Sequence, residues 1–383
     1  MPTFFSKKEF ADRRKAVCKE LKKRDLDGLL MFRQESMYWL TGYDTFGYCF
    51  FQSLYLGADG KMTLLTRYPD AIVARQTSVI EDIRVWTNLP DADPTTELRD
   101  IVAEHGGKGG RMGIEYDAYG LTAAIYRQLD ATMTGFCNLE DASDLITKLR
   151  LIKSPAEMKM ARRAGELADL ALQECLRLAK PGTNTGEILS RMQGIVFEND
   201  GDYSGNEFII GAGERALVGR YISGRQTLQK TDQLTIEWAG VFRHYHAAMM
   251  RTLVIGKPSK RQLDMHKWAV EAHHASAEAL KPGNTCGDVF AAYARVLDKN
   301  GYKKHRHTAT GYSMGTTYPP SWMDWPMFWE GNPVVIEPGM VFFIHTLIFD
   351  QQRMLAMAPG QSYIVGPKGN EPLSKMPFDL TPD

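Results

Sequence analysis

The run from Gln233 to Gly256, Q-L-T-I-E-W-A-G-V-F-R-H-Y-H-A-A-M-M-R-T-L-V-I-G, constrains the fold more than any other stretch. Leu234, Ile236 and Trp238 alternate with Thr235, Glu237 and Ala239, the two-residue period of a strand with unlike faces. Gly240 is the expected turn, and a second β-rich run returns from Phe242 to Ile255. Glu237 is flanked by Ile236 and Trp238, and a carboxylate buried among such neighbours is costly unless it is paired or hydrogen-bonded. On the returning strand the alternation puts His244 and His246 on one face with Tyr245 opposite, and Arg251 adds a fixed positive charge. The residues leave two readings open: a reactive site, or a buried Glu237–Arg251 ion pair with surface histidines.

The flanking chain reads as mixed helix and strand. Residues 7–24 form an amphipathic helix capped by Ser6, with Phe10, Val17 and Leu21 at helical spacing. Strands are expected at 29–32, 50–56, 62–65, 111–114 and 135–139, and helices at 72–77, 95–105 and 120–129. Between them, Tyr38 to Tyr48 is an aromatic, glycine-bearing loop that either packs or walls a small-molecule pocket. Ser154-Pro155-Ala156-Glu157 then carries a capping box with proline at the first helical position, and opens a long helix to about Leu178. This boundary predicts an α/β domain over 1–150 and a second domain over 151–383. Lys180-Pro181-Gly182-Thr183-Asn184 recurs as Lys281-Pro282-Gly283-Asn284-Thr285, each between two helices, which points to an internal duplication. The segment His305–Trp329 reads as a long aromatic loop, and Met354–Val365 as the last hairpin arm.

Charge and cysteine usage exclude several function classes. The chain has 46 basic and 46 acidic residues, so no net basic field is available for nucleic acid or an anionic membrane. Its five cysteines are scattered and odd in number, as expected of free thiols in a reducing compartment. The N-terminal residues are too charged for a signal peptide and no apolar run approaches a membrane span, so a cytoplasmic protein is expected.

R-L-I-K-S-P-A-E-M-K-M-A-R-R-A at 150–164, M-R-T-L-V-I-G at 250–256, K-P-G-N-T-C-G-D-V at 281–289 and E-P-G-M-V-F at 337–342 resemble the creatinase/prolidase, or pita-bread, superfamily. The resemblance spans essentially the whole chain. It implies an α+β molecule with a pseudo-twofold pita-bread domain behind a smaller N-terminal α/β domain. It also implies a homodimer, with Tyr43, Phe46 or Tyr48 of the partner lining the pocket. Peptidases of this superfamily hold two divalent metals with two Asp, one His and two Glu. Motif by motif, those positions fall on Glu237, Ala248, Tyr312, His345 and a place near Gln361. Alanine has no donor atom and tyrosine is a poor replacement for imidazole, so an oxygen-rich dinuclear site is not expected. Neither metal nor cofactor is expected.

G-D-Y at 201–203, E-W-A-G-V-F-R-H-Y-H at 237–246, G-Y-S-M-G-T-T-Y-P-P-S-W at 311–322 and W-L-T-G-Y-D at 39–44 are similar to signature runs of the metal-free ectoine hydrolases. That likeness implies hydrolysis of a C–N bond in a small zwitterionic or cyclic amidine compound, with Glu237 as nucleophile. The general acid/base histidine of creatinase and ectoine hydrolase aligns with Arg220. Arginine cannot shuttle protons near neutral pH, so either His246 or His345 is expected in that role or the substrate and reaction differ, and Arg220 is suited to clamp a substrate carboxylate. The expected substrate-binding set is Tyr203, Tyr221, Trp238, His244, Arg251, Tyr312, Tyr318 and Trp322, with Phe46 and Tyr48 from the aromatic loop. The alternatives are a creatinase-like amidinohydrolase, an osmolyte lyase, and a non-catalytic binding protein related to Xaa-Pro peptidases.

Overall fold

Ser6 accepts a hydrogen bond from the Glu9 amide at 3.1 Å and starts α1 (Lys7–Lys23), which buries Phe10, Val17 and Leu21. The computed structural model describes residues 4–217 and 224–382. In the unit Met1–Arg150, the chain continues through β1 (Gly28–Met31), α2 (Gln34–Thr41), β2 (Ser53–Gly57), β3 (Met62–Thr66), α3 (Tyr68–Thr77) and β4 (Asp82–Val85). It then runs through α4 (Pro94–Glu104), β5 (Arg111–Ile114), α5 (Ala123–Met133), β6 (Asn138–Asp141) and α6 (Ser143–Leu151). The six strands lie in the order β4-β3-β2-β1-β5-β6, with cores on both faces of the sheet. The first four residues of the expected aromatic loop, Tyr38–Thr41, in fact belong to helix α2. Its N-terminus is served from β5's end: the Phe32 and Arg33 amides donate to Glu115 at 3.0 and 2.8 Å. An anchor supplied by a residue so distant in the chain leaves no local sequence signal.

The unit Leu151–Asp383 begins with two helices, α7 (Pro155–Leu178) and α8 (Thr185–Glu198), the first opened by the Ser154–Glu157 capping box. Next come β7 (Ile209–Ala212), β8 (Gln233–Phe242), β9 (Tyr245–Val254), α9 (Lys260–Ala279) and α10 (Cys286–Lys299). The expected loop at 305–329 contains β10 (Ala309–Ser313) and β11 (Asp324–Trp329). The chain ends with β12 (Val341–His345), β13 (Ile348–Asp350), β14 (Leu355–Met357), β15 (Gly360–Val365) and β16 (Asn370–Pro372). The main sheet has the order β11-β10-β12-β15-β9-β8-β7, with β16 beside β15.

The hairpin β8–β9 is the centre of that sheet's second half, but its turn is not at Gly240. Gly240 sits mid-strand opposite Ala247, and a Cβ there would lie 1.9 Å from the Ala164 carbonyl of α7. The glycine therefore lets a helix backbone press onto the strand. The turn is the two-residue Arg243–His244, both with left-handed φ (52° and 62°), the geometry that matches strand twist in tight hairpins. His244 stacks on Tyr318 with centroids 4.2 Å apart.

The repeated Lys-Pro-Gly loops make matching bonds. Gly182 donates to the Leu228 carbonyl and Gly283 to that of Ile336, while Asn184 and Thr285 cap the helices that follow. Gly182 and Gly283 have φ of 90° and 89°, which explains the shared glycine. Among the described residues no helix is long and apolar enough to cross a membrane.

Candidate active site

The alternation of β8 sends its two faces to different tasks. Leu234, Ile236 and Trp238 join the core formed with α7 and α8. Glu237 faces the other way, in a row that crosses four strands. It pairs with Met250 of β9, Met250 with Gly360 of β15, and Gly360 with His345 of β12. Gly360 leaves that row notched, since a Cβ there would meet Met250 at 2.8 Å and Phe343 at 2.9 Å. In β10, Tyr312 lies opposite Phe343 of β12 and opposite Met327 of β11.

Glu237, His345 and Tyr312 line one cavity of about 240 Å³, with Asn206, Met250 and Met327 among its walls. Glu237 is 8 % exposed. The Tyr312 hydroxyl lies 3.5 Å from Glu237 Oε1 and accepts a hydrogen bond from the Trp322 indole N–H at 2.8 Å. His345 is buried, with its ring edge-on to Tyr312 at 5.8 Å, and its Nδ1 has no hydrogen-bond partner among the described residues. Burial drives its pKa down to about 3, so the ring is neutral near pH 7. Among the described residues, this cavity brings a buried carboxylate, a phenol and the neutral His345 imidazole together with methionines, and the His307 ring also lines it.

Several expected site residues belong elsewhere. His246 is not a free acid/base: Gly205 N–H donates to its Nε2 at 2.8 Å, and its Nδ1 faces the His244 carbonyl at 2.8 Å. Backbone engages both ring nitrogens, and burial drives its pKa to about 3. Its task is to hold the loop at 202–206 against the hairpin. Arg251 neither pairs with Glu237 nor faces the cavity, because it lies opposite Ile236 on the helix-side face. Its guanidinium donates to the carbonyls of Met250, Gly360, Met376 and Pro377, and sits 4.2 Å over the Phe378 ring. Both readings of Arg251, ion pair and substrate contact, are thereby overturned.

Trp238 is fully buried and donates to the Ala168 carbonyl at 3.0 Å, so it cannot touch a ligand in the cavity. Trp322 stands behind Tyr312. His244 and Tyr318 stack on each other at the hairpin tip. Tyr203 is 78 % exposed and lines a second hollow of about 360 Å³ with Phe197, Pro319 and Pro320. Phe46 is exposed and Tyr48 half-buried in the N-terminal unit. Arg220 and Tyr221 lie outside the described residues. The reading from sequence passed over Asn206, Met250 and His307, which also lines the cavity. The aromatic density of 305–329 signals the region that supplies His307, Tyr312, Met323 and Met327.

Residues 159–366 match the family described as Metallopeptidase family M24. The chain belongs to that family. Residues 13–152 match the Creatinase/Prolidase N-terminal domain, completing the arrangement of a creatinase N-terminal domain before an M24 pita-bread domain. This M24 chain is 26% identical over 393 residues to the ectoine hydrolase of Halomonas elongata, covering 98% of each. It is 24% identical over 206 residues to an Xaa-Pro dipeptidase of Pyrococcus horikoshii, covering 54% of this chain and 58% of that protein. The prolidase structure from Thermococcus sibiricus superposes with a TM-score of 0.88 at 19% identity, covering 97% of this chain and 98% of that one.

A metallopeptidase family implies metal, and the donor set here does not fit the superfamily's dinuclear centre. Of the five corresponding positions only Glu237 carries a carboxylate. Ala248 offers no donor and sits opposite Ala239, Tyr312 offers a phenol, and the Gln361 amide oxygen is buried without a partner among the described residues. No group of three or more His, Cys, Asp or Glu is placed to hold an ion among the described residues.

Proposed function

We propose that this M24 hydrolase cleaves a C–N bond in a small zwitterionic or cyclic amidine compound, in the manner of an ectoine hydrolase and without a metal ion. The observation that carries the reading is Glu237, a buried carboxylate facing a small cavity with Tyr312 and His345, while Ala248 and Gln361 stand where the resemblance puts the remaining metal ligands. A carboxylate there neutralises an amidinium and stands ready to bond to its electrophilic carbon. Methionine thioethers at 250, 323 and 327 give polarizable, adaptable walls around a compact cation. His345 is neutral, so it can accept a hydrogen bond from substrate without repelling its charge. The full-length likeness to the Halomonas elongata ectoine hydrolase supports the same substrate class.

The test is turnover after exhaustive dialysis against EDTA, with metal content measured on the same sample. The panel is ectoine, simple cyclic amidines, creatine and Xaa-Pro dipeptides. Undiminished cleavage of an amidine by metal-free protein is the expected result. Cleavage of an Xaa-Pro dipeptide that is lost to EDTA and restored by Mn, Co or Zn would overturn it.

A further inference from the structure

Cleaving an amidine requires a proton for the nitrogen that departs, and neither histidine first considered can supply it. His246 has both nitrogens engaged by backbone, and His345 is held neutral by burial. Among the described residues, the Tyr312 phenol is the group whose hydroxyl hydrogen faces Glu237. The indole N–H of Trp322 is a donor only, so at 2.8 Å it occupies a lone pair of the phenol oxygen. The hydroxyl donates toward Glu237 Oε1, and at 3.5 Å that contact is at the limit of a hydrogen bond, so a substrate nitrogen lying beside both oxygens can take the hydroxyl's donation in its place. Among the described residues, the titratable groups around Tyr312 are Glu237 on β8 and His345 on β12, with His307 also lining the cavity.

We propose that Tyr312 is the general acid of this site, and that Trp322 positions it. The assignment rests on the amidine-hydrolase reading above. A Glu237 oxygen bonds to the amidinium carbon and the C=N π pair moves to nitrogen. As the C–N bond breaks, the departing nitrogen takes the Tyr312 proton and the Trp322 N–H stabilises the phenolate. Water then adds to the same carbon and the Glu237 carboxylate departs. One water proton restores the phenol, the other ends on the released amine, and the product is an amide. A phenol and an alkyl amine have similar unperturbed affinities for a proton, so the transfer is close to balanced.

Two probes separate this role from a structural one. N-methylacetamidine has a poor leaving nitrogen that needs the proton. 4-Nitrophenyl acetimidate carries a nitrophenolate leaving group on the same carbon, which departs without one. Tyr312→Phe is expected to lower kcat on the methyl probe by about 100-fold or more, within the usual range for general acids, and to leave the nitrophenyl probe nearly unchanged. Trp322→Phe keeps the phenol but removes its anchor. It is expected to cost about tenfold in kcat on the methyl probe, the equivalent of one hydrogen bond, with KM unchanged. Equal losses on both probes, or a Trp322→Phe effect confined to KM, would assign Tyr312 to structure and overturn the proposal. Glu237→Gln is the control for the reaction itself, with both probes lost. If wild-type protein cleaves neither probe, the amidine reading fails and the general acid with it.

Discussion

Glu237 and Arg251 show how little of a residue's role its charge reveals. Both are buried on one hairpin, but they occupy opposite faces and never meet. Glu237→Gln is therefore expected to keep the thermal midpoint near that of the wild type and to lose turnover by at least about a thousandfold, as loss of a nucleophile does. Arg251→Met should do the reverse. It leaves the carbonyls of Gly360, Met376 and Pro377 without their charged donor, at a cost of about 3 kcal/mol or more, while the folded fraction retains its kcat. Calorimetry and turnover on the same two variants check both. A fully active Glu237→Gln enzyme would remove the nucleophile assignment, and a heat-stable Arg251→Met protein would remove the anchoring one.

At the scale of elements, the tightest joint is α7 against β8. Any side chain at Gly240 would meet the Ala164 carbonyl at 1.9 Å and the Ala168 amide at 2.4 Å, both backbone atoms that cannot swing aside. Gly240→Ala is expected to cost on the order of 3 kcal/mol by overpacking and to lower the melting midpoint clearly. Gly283→Ala, where a Cβ meets nothing within 4 Å, bears only the strain of its φ of 89° and should cost about 1 kcal/mol. Equal midpoints for the two variants would contradict this account. The same joint explains what the sequence could and could not reveal. The hairpin, the capped α7 and the paired Lys-Pro-Gly loops were legible because periodicity and caps are local. Gly240 looked like a turn because its true cause, a helix backbone, lies some seventy residues earlier. Helix α2 was hidden because Glu115, which anchors the backbone at its start, is remote in the chain. In the site, Glu237 was visible from its strand neighbours. The backbone partners of His246 and Arg251 were not, since loops at 202–206 and 376–377 supply them.

For the whole molecule, buried neutral histidines set the response to acid. His246 and His345 are driven by burial to about 3, and His273 well below its usual value for the same reason. An unfolded chain takes up protons on these rings as pH falls below about 6.5, while native His246 and His345 resist until about 3 and buried His273 is held well below its usual value. Unfolding therefore binds protons across that window, and native stability falls with pH by up to about 1.4 kcal/mol per unit for each ring. A thermal midpoint that drops steadily from pH 7 to pH 5 is expected, and a flat profile would refute the assignment. The anchoring of Arg251 also sets an order of events during synthesis. The hairpin leaves the ribosome long before residues 376 and 377, so its guanidinium must wait for carbonyls not yet made. The N-terminal unit has no such debt to later chain within its own sheet, and can settle first. Residues 376 and 377 then close over one face of β9 at Arg251, while Met250, the residue before it, stands on the other face at the wall of the cavity.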